Sequence, residues 1–196
     1  MSFEKSLIDY LQQIPDPRHP NGRRHPLWLV LLLIIMGLMS GYYGYRGLGT
    51  FVERHRRVLR QMFLIRGATV PSYSTIRRVL MEIDYQALCD VFNAWASQID
   101  KEVSRQWVAL DGKSLRNTVS DSARAEQNFV SMVSAFSHNR GLVLGVQVME
   151  NKHESEIVVV ENLLSLLDLQ NVVFTVDALH CQKKQSPPLL TVAMTT

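Results

Sequence analysis

Two short apolar runs that each end in an aspartate decide the fold: Gln106-Trp107-Val108-Ala109-Leu110-Asp111 and Val172-Val173-Phe174-Thr175-Val176-Asp177. Runs of this length, rich in β-branched and aromatic residues, predict β-strands. In α/β folds such strands present carboxylates at the edge of a sheet, where ligands bind. Two neighbouring carboxylates are typical ligands of Mg²⁺, and a complete phosphoryl-transfer site usually has a third. The alternative is that each aspartate only caps the turn or helix after its strand.

The residues between these two runs predict two more strands and one helix. Further β-rich runs occupy residues 130–136 and 142–149, and the polar stretch between them favours a hairpin. Residues 154–169 predict a helix, although the β-branched run 158–160 leaves strand open as an alternative at its start. The order is therefore strand, strand, strand, helix, strand. A polar connector, residues 112–129, follows the first strand.

The first hundred residues predict helices. An apolar helix starts near Pro26, and the glycine-rich segment 41–49 predicts a flexible connector after it. A second helix is expected from Thr50, as a plausible N-cap, to about Ile65. The remaining two helix starts are predicted at Pro71-Ser72-Tyr73-Ser74 and at the capping residue Asp84.

The two halves of the chain carry opposite net charge. Residues 1–80 contain 12 Lys and Arg against 4 Asp and Glu, whereas the remainder contains 9 against 14. A basic region followed by an acidic one favours a polyanion-binding module joined to a metal-binding one. Arg77 and Arg78, on the third predicted helix and away from its apolar face, are candidates for contact with DNA. By itself, the arginine run 54–60 indicates only a solvated helix face.

The uncharged stretch from Leu27 to Tyr45 raises the alternative of a single-span membrane protein. Its strongly apolar part, Leu27 to Met39, is short of the roughly 20 residues that cross a bilayer, so a buried core helix is favoured.

Cys89 and Cys181 lack metal-ligand spacing, which argues against zinc. Two isolated cysteines and an amino terminus unlike a signal peptide lead us to expect a cytoplasmic protein.

Four segments of the chain resemble the H-repeat-associated DDE transposases of bacterial insertion sequences. The resemblance runs from about residue 5 to Lys184 and implies an α+β chain. It implies a helical N-terminal domain at 1–103, an incomplete ribonuclease-H-like α/β domain at 104–184, and an aberrant tail at 185–196. The segments are Ile14-Pro15-Asp16-Pro17-Arg18, Pro71-Ser72-Tyr73-Ser74-Thr75-Ile76-Arg77-Arg78-Val79-Leu80, Ala109-Leu110-Asp111-Gly112-Lys113-Ser114-Leu115-Arg116 and Val176-Asp177-Ala178-Leu179-His180-Cys181-Gln182-Lys183.

The resemblance also implies a Mg²⁺-dependent enzyme that cuts and joins DNA at insertion-sequence ends. By resemblance, Asp111 and Asp177 are the first two catalytic carboxylates and metal ligands, while Lys113 and Arg116 are candidates for contact with DNA phosphates. The family's third acid, a distal glutamate, has no counterpart, since no Asp or Glu follows Asp177. We therefore expect a truncated transposase without turnover that binds DNA and associates with itself or an intact transposase. The alternative is a DNA-binding regulator that lacks catalysis.

Overall fold

A computed structural model of the chain describes residues 5–65, 69–99, 107–114, 130–139, 141–150, 156–167 and 172–176. Its internal contacts divide the chain into two compact units, Met1–Val91 and Phe92–Thr196. The combination of helices with a mixed four-stranded sheet confirms the predicted α+β class. The predicted domain boundary at 103/104 and the predicted tail at 185–196 lie outside the described residues, so both stay predictions.

The first unit is helical throughout its described elements. Buried side chains from its helices form one hydrophobic core, in which Leu33, Val52 and Ile76 have no exposed surface. A 3₁₀ turn, Pro20–Gly22, precedes the central helix. The helices are α1 (Leu7–Leu11), α2 (Leu27–Met39), α3 (Gly44–Arg54), α4 (Arg56–Met62), α5 (Tyr73–Glu82) and α6 (Tyr85–Ile99), the last of which continues into the second unit.

The apolar helix α2 lies in this core, as its sequence predicts. It begins directly after Pro26, and residues such as Val30 and Leu33 are fully buried. No single described helix is long and apolar enough to cross a membrane. Helices α2 and α3 together have the length and apolar composition of a membrane span, but they are bent by 98° relative to each other.

The glycine-rich stretch after α2 is mostly helical, so the predicted flexible connector is wrong. Helix α3 begins at Gly44, and the predicted N-cap Thr50 lies inside it, where its Oγ1 donates to the Arg46 carbonyl at 3.0 Å. The predicted helix 50–65 is interrupted at His55, after which α4 begins. Gly49 lets α3 approach α5 closely, and this packing offsets the cost of about 1 kcal/mol for a glycine inside a helix.

The two helices after this region begin where their capping residues predict. The Ser72 hydroxyl accepts a hydrogen bond from the Thr75 amide at 3.4 Å, before the first turn of α5. The Asp84 carboxylate accepts from the amides of Gln86 at 2.9 Å and Ala87 at 3.3 Å, before α6. These caps satisfy amide groups that have no partner inside their own helix.

The second unit contains the sheet. Its spatial strand order is β3-β2-β1-β4, in which β2 pairs antiparallel with β1 and β3, and β4 pairs parallel with β1. The predicted sequence of three strands, a helix and a fourth strand is therefore confirmed. The elements are β1 (Trp107–Ser114), β2 (Val130–Ser137), β3 (Leu142–Glu150), α7 (Glu156–Leu167) and β4 (Val173–Val176).

One face of the sheet forms a core with α7. Val108 and Leu110 of β1 are buried, and they belong to the same cluster as Val159 and Leu163 of α7. Asn93, on the part of α6 that belongs to this unit, covers the outer side of β3. Its side-chain amide donates to the Val146 carbonyl and accepts from the Val146 amide, both at 2.8 Å. An edge strand thus has backbone groups satisfied by a side chain.

Candidate active site

Asp111 lies inside β1, so the prediction that it ends the strand is wrong. The strand continues to Ser114 because β2 supplies backbone partners for the additional residues. Asp111 is paired with Ser134, and Lys113 is paired with Met132. The predicted connector 112–129 therefore begins as strand, and Lys113 is a strand residue.

The parallel neighbour of β1 ends its pairing one residue before Asp111. Strand β4 pairs with residues 107–110, and the last pair joins Leu110 to Val176. Asp111 is thus the first residue of β1 beyond its described pairing with β4, and its side chain is exposed. The carboxyl end of parallel strands is the position where α/β sheets bind ligands. The position of Asp111 fits a ligand site.

Asp111 shares a sheet face with Lys113. Successive side chains of a strand point to opposite faces, and Val108 and Leu110 belong to the core formed with α7. Ala109, Asp111 and Lys113 therefore belong to the other face, where Asp111 and Lys113 are both exposed. Two residues along a strand correspond to about 7 Å, so the carboxylate and the ammonium can act on one extended ligand.

The other predicted site residues fall into two groups. Asp177 and Arg116 lie outside the described residues. Arg77 and Arg78 lie on α5 in the first unit, and both are exposed. The Arg77 guanidinium carbon is 6.0 Å from the ring centroid of Tyr45, a cation–π arrangement that holds its charge at the surface.

The Pro-Asp-Pro-Arg segment has a structural role that the sequence did not reveal. Arg18 is 2% exposed, its Nη2 lies 2.7 Å from Asp16 Oδ2, and it also donates to the His25 carbonyl at 2.8 Å. Arg23 Nε donates to the Arg18 carbonyl at 2.6 Å. The hydrogen bond from Arg18 lowers the pKa of Asp16 below its ordinary value. The Asp-x-Arg spacing indicates an ion pair, but in a segment this rich in arginine it does not show which arginine is buried.

Comparison with known proteins identifies the family. The family model described as DDE_Tnp_1-associated matches residues 8–96. "Putative transposase YncI" of Escherichia coli K12 is 31% identical over 179 residues, which cover 91% of this chain and 71% of that protein. "H repeat-associated putative transposase YbfD" of the same strain is also 31% identical, with 69% of that protein covered. The chain belongs to the H-repeat-associated transposase family.

Other members of this transposase family are longer than the matched region. "Putative transposase YncI" of Escherichia coli O157:H7 is 32% identical, and "H repeat-associated putative transposase YhhI" of Escherichia coli K12 is 31% identical. The chain covers 45% of the first and 46% of the second. It therefore spans about half the length of these curated relatives.

The chemistry of Asp111 suits a divalent metal ion, which membership of this transposase family suggests in general. Its carboxylate supplies hard oxygen donors, which Mg²⁺ prefers to nitrogen or sulfur. Within the ranges that the structure describes, no group of three His, Cys, Asp or Glu side chains is placed to hold a metal ion. Asp111 thus fits as one ligand, and the described residues do not complete a metal site.

Proposed function

We propose that this family member acts in DNA transposition, and that its second unit is a ribonuclease-H-like domain binding Mg²⁺ through Asp111 and Asp177. The observation that carries the proposal is the parallel pair Leu110–Val176, because each residue directly precedes one of the two aspartates. The chain order of four strands and one helix supports the fold assignment, since it is the order of the opening half of that fold.

The strand register supports the pairing of the two acids. One more parallel step after Leu110–Val176 would bring Asp177 beside Asp111, on the sheet face opposite the α7 core. Two carboxylates about 4 Å apart repel by about 4 kcal/mol at an effective dielectric near 20, and a divalent cation relieves this repulsion. When bound, Mg²⁺ activates the attacking oxygen and neutralises the leaving oxygen of a phosphodiester.

In this proposal, basic residues position the DNA by binding its phosphates. Lys113 shares a face with Asp111, so it can neutralise a DNA phosphate next to the carboxylates, with Arg116 following in the sequence. Arg77 and Arg78 contact the DNA backbone from α5, where both are exposed. The partners are insertion-sequence ends and other transposase subunits, and the proposed location is the cytoplasm.

We expect the 196-residue polypeptide on its own to bind DNA without cutting it, because it supplies two of the three acids that the family resemblance implies. A gel-shift titration in EDTA measures binding, and nicking of a supercoiled plasmid with Mg²⁺ measures turnover. If nicking occurs, Asp111→Asn and Asp177→Asn test whether it depends on the site. Glu82→Gln, which removes one exposed carboxylate from α5, is the matched control.

The two assays test the transposase function, and Mg²⁺ binding at Asp111 distinguishes a transposase from a regulator. We expect DNA binding that weakens steeply with salt, and no nicking. A DNA-binding regulator would give the same two results but would not bind Mg²⁺ at Asp111. Nicking that Asp111→Asn abolishes and Glu82→Gln preserves would establish the catalytic site and contradict the expected lack of turnover. Absence of any DNA binding would contradict a transposase function for this chain.

A further inference from the structure

A basic groove of about 900 Å³ lies on the first unit. One wall is formed by α3 and the first residue of α4, and the other by residues 69–73, which lead into α5. Arg46, Arg54 and Arg56 line the groove, with Glu53 as a carboxylate among them. The lining therefore has more positive than negative charge, which selects for an anionic ligand.

The charges of the groove differ in how far they are already paired. Arg56 Nη1 lies 3.0 Å from Glu53 Oε1, so these two neutralise each other. Arg54 Nη1 donates to the Tyr42 hydroxyl at 3.0 Å, which orients its guanidinium without neutralising it. Arg46 is exposed and makes no salt bridge with any residue that the structure describes. Arg46 and Arg54 are therefore the charges left for a ligand.

The two walls of the groove are held in a fixed arrangement. A Cβ at Gly49 would lie 2.6 Å from Tyr73 Cβ, so α3 and the start of α5 are in close backbone contact. Arg46, Thr50 and Arg54 follow each other at steps of four residues along α3 and share one face. The two arginines are thus about 12 Å apart along the helix axis, a separation that reaches different phosphates of one strand.

The positive surface continues from the groove along α5. Tyr73 lines the groove, and Arg77 lies one helical turn further on the same face of that helix. The exposed ring of Tyr45 positions Arg77, and Tyr45 precedes Arg46 in the sequence. A polymer of evenly spaced negative charges can follow this row, whereas a single small anion would use only part of it.

We propose that this groove binds the sugar–phosphate backbone of DNA, with Arg46 as the principal phosphate contact and Arg54 as the second. The inference rests on the proposed function, which makes DNA the substrate, and it adds a surface whose Arg46 was expected in a flexible connector. Guanidinium groups match the geometry of phosphate oxygens and bind them with two parallel hydrogen bonds. Backbone contacts of this kind position DNA and do not read its sequence.

The test compares Arg46→Ala with Arg57→Ala in the 196-residue protein. Arg57 is exposed on α4, belongs to the arginine run 54–60 and does not line the groove, so Arg57→Ala removes the same charge from another surface. Binding of a fluorescently labelled random duplex is followed by anisotropy in EDTA between about 50 and 200 mM salt. Arg46→Gln serves as a second variant, and circular dichroism verifies that each variant is folded.

We expect Arg46→Ala and Arg46→Gln to weaken binding about tenfold and to reduce the slope of log K against log salt by about 0.9, the value for one lost phosphate contact. Arg57→Ala should change binding by less than about twofold. Equal losses of affinity in Arg46→Ala and Arg57→Ala would contradict DNA binding in the groove, because affinity would then follow net charge alone. Tight binding that does not depend on Arg46 would contradict the groove proposal and leave the proposed function standing. No DNA binding by the unaltered protein would contradict both.

Discussion

Leu110 of β1 and Val176 of β4 are paired directly and in parallel, and each is followed in the sequence by an aspartate. If the two aspartates share Mg²⁺, the ion binds the folded chain and raises its unfolding temperature. A ligand at 100 times its dissociation constant stabilises by about 2.7 kcal/mol. Asp111→Asn should weaken Mg²⁺ binding at least about tenfold and so lose about 1.4 kcal/mol of that gain.

The measurement is thermal unfolding with and without MgCl₂. The unaltered protein and Glu82→Gln should show the same shift, because Glu82 is an exposed carboxylate on α5. A full Mg²⁺ response in Asp111→Asn would contradict the proposed metal ligand.

The sequence predicted elements whose signal is local. Asp84 and Ser72 mark helix starts through hydrogen bonds to amides two or three residues away, and the apolar run 27–39 forms a helix that contributes buried residues to the core, as its composition predicts. The order of strands and helix along the chain could be predicted because hydrophobic runs of the right length are separated by polar turns. In each of these cases the residues that decide the structure are close together in the sequence.

The predictions that failed depend on partners distant in the sequence. Asp111 was expected to end its strand, but β2 pairs with β1 as far as Ser114. The glycines of α3 predicted a connector because glycine has a low helix propensity, which can be read from the sequence. The contact of Gly49 with Tyr73 cannot be read from the sequence. The proposed groove was missed for the same reason, since Arg46 lies on that helix. The placement of Asp177 and Arg116 stays a prediction.

Two glycines of α3 offer a matched test of close helix packing. A Cβ at Gly49 would lie 2.6 Å from Tyr73 Cβ, whereas a Cβ at Gly47 would find its nearest neighbour, the Tyr42 carbonyl carbon, at 3.8 Å. Gly49→Ala should destabilise the protein by about 1 to 3 kcal/mol because backbone must move. Gly47→Ala should stabilise it by about 0.5 to 1 kcal/mol through helix propensity. Urea unfolding measures both, and effects of the same sign would contradict the α3–α5 contact.

Breaking the ion pair of Asp16 and Arg18 should destabilise the fold far more than breaking an exposed pair, because it leaves a buried charge without its partner. Asp16→Asn leaves the Arg18 guanidinium, whose side chain is 1% exposed, without a charged partner. The expected loss is about 3 kcal/mol. Glu53→Gln removes the partner of Arg56 in a pair whose side chains are 63% and 62% exposed, and it should cost less than about 1 kcal/mol.

Acid titration provides a second readout of this ion pair. Since the hydrogen bond from Arg18 lowers the pKa of Asp16, the contribution of the pair is complete above the ordinary carboxyl pKa and is lost as pH falls through the lowered value. Chemical unfolding of each variant across this acid range gives the comparison. Similar losses for Asp16→Asn and Glu53→Gln would argue against a buried pair.

Asn93 should protect the outer side of β3. Its side chain makes two hydrogen bonds with the backbone of Val146, both 2.8 Å long. Asn93→Ala leaves that amide and carbonyl without these partners and should cost about 2 kcal/mol. Asn162→Ala, at an exposed position of α7, should change stability by less than about 1 kcal/mol. Hydrogen exchange at the Val146 amide provides the local readout, and unchanged protection in Asn93→Ala would show that this bond does not protect the strand.

His25 should make the first unit less stable in mild acid. Its side chain is buried, and burial lowers the imidazole pKa below its ordinary value, with Arg24 and Arg18 adding to the shift through their charges. Between the lowered pKa and the ordinary value near 6.5, the unfolded chain binds a proton that the folded chain does not, so stability falls as pH falls. Unfolding temperatures between about pH 7 and about pH 5 should therefore decrease, and less steeply in His25→Gln. Identical slopes for His25→Gln and the unaltered protein would assign the pH dependence to other groups.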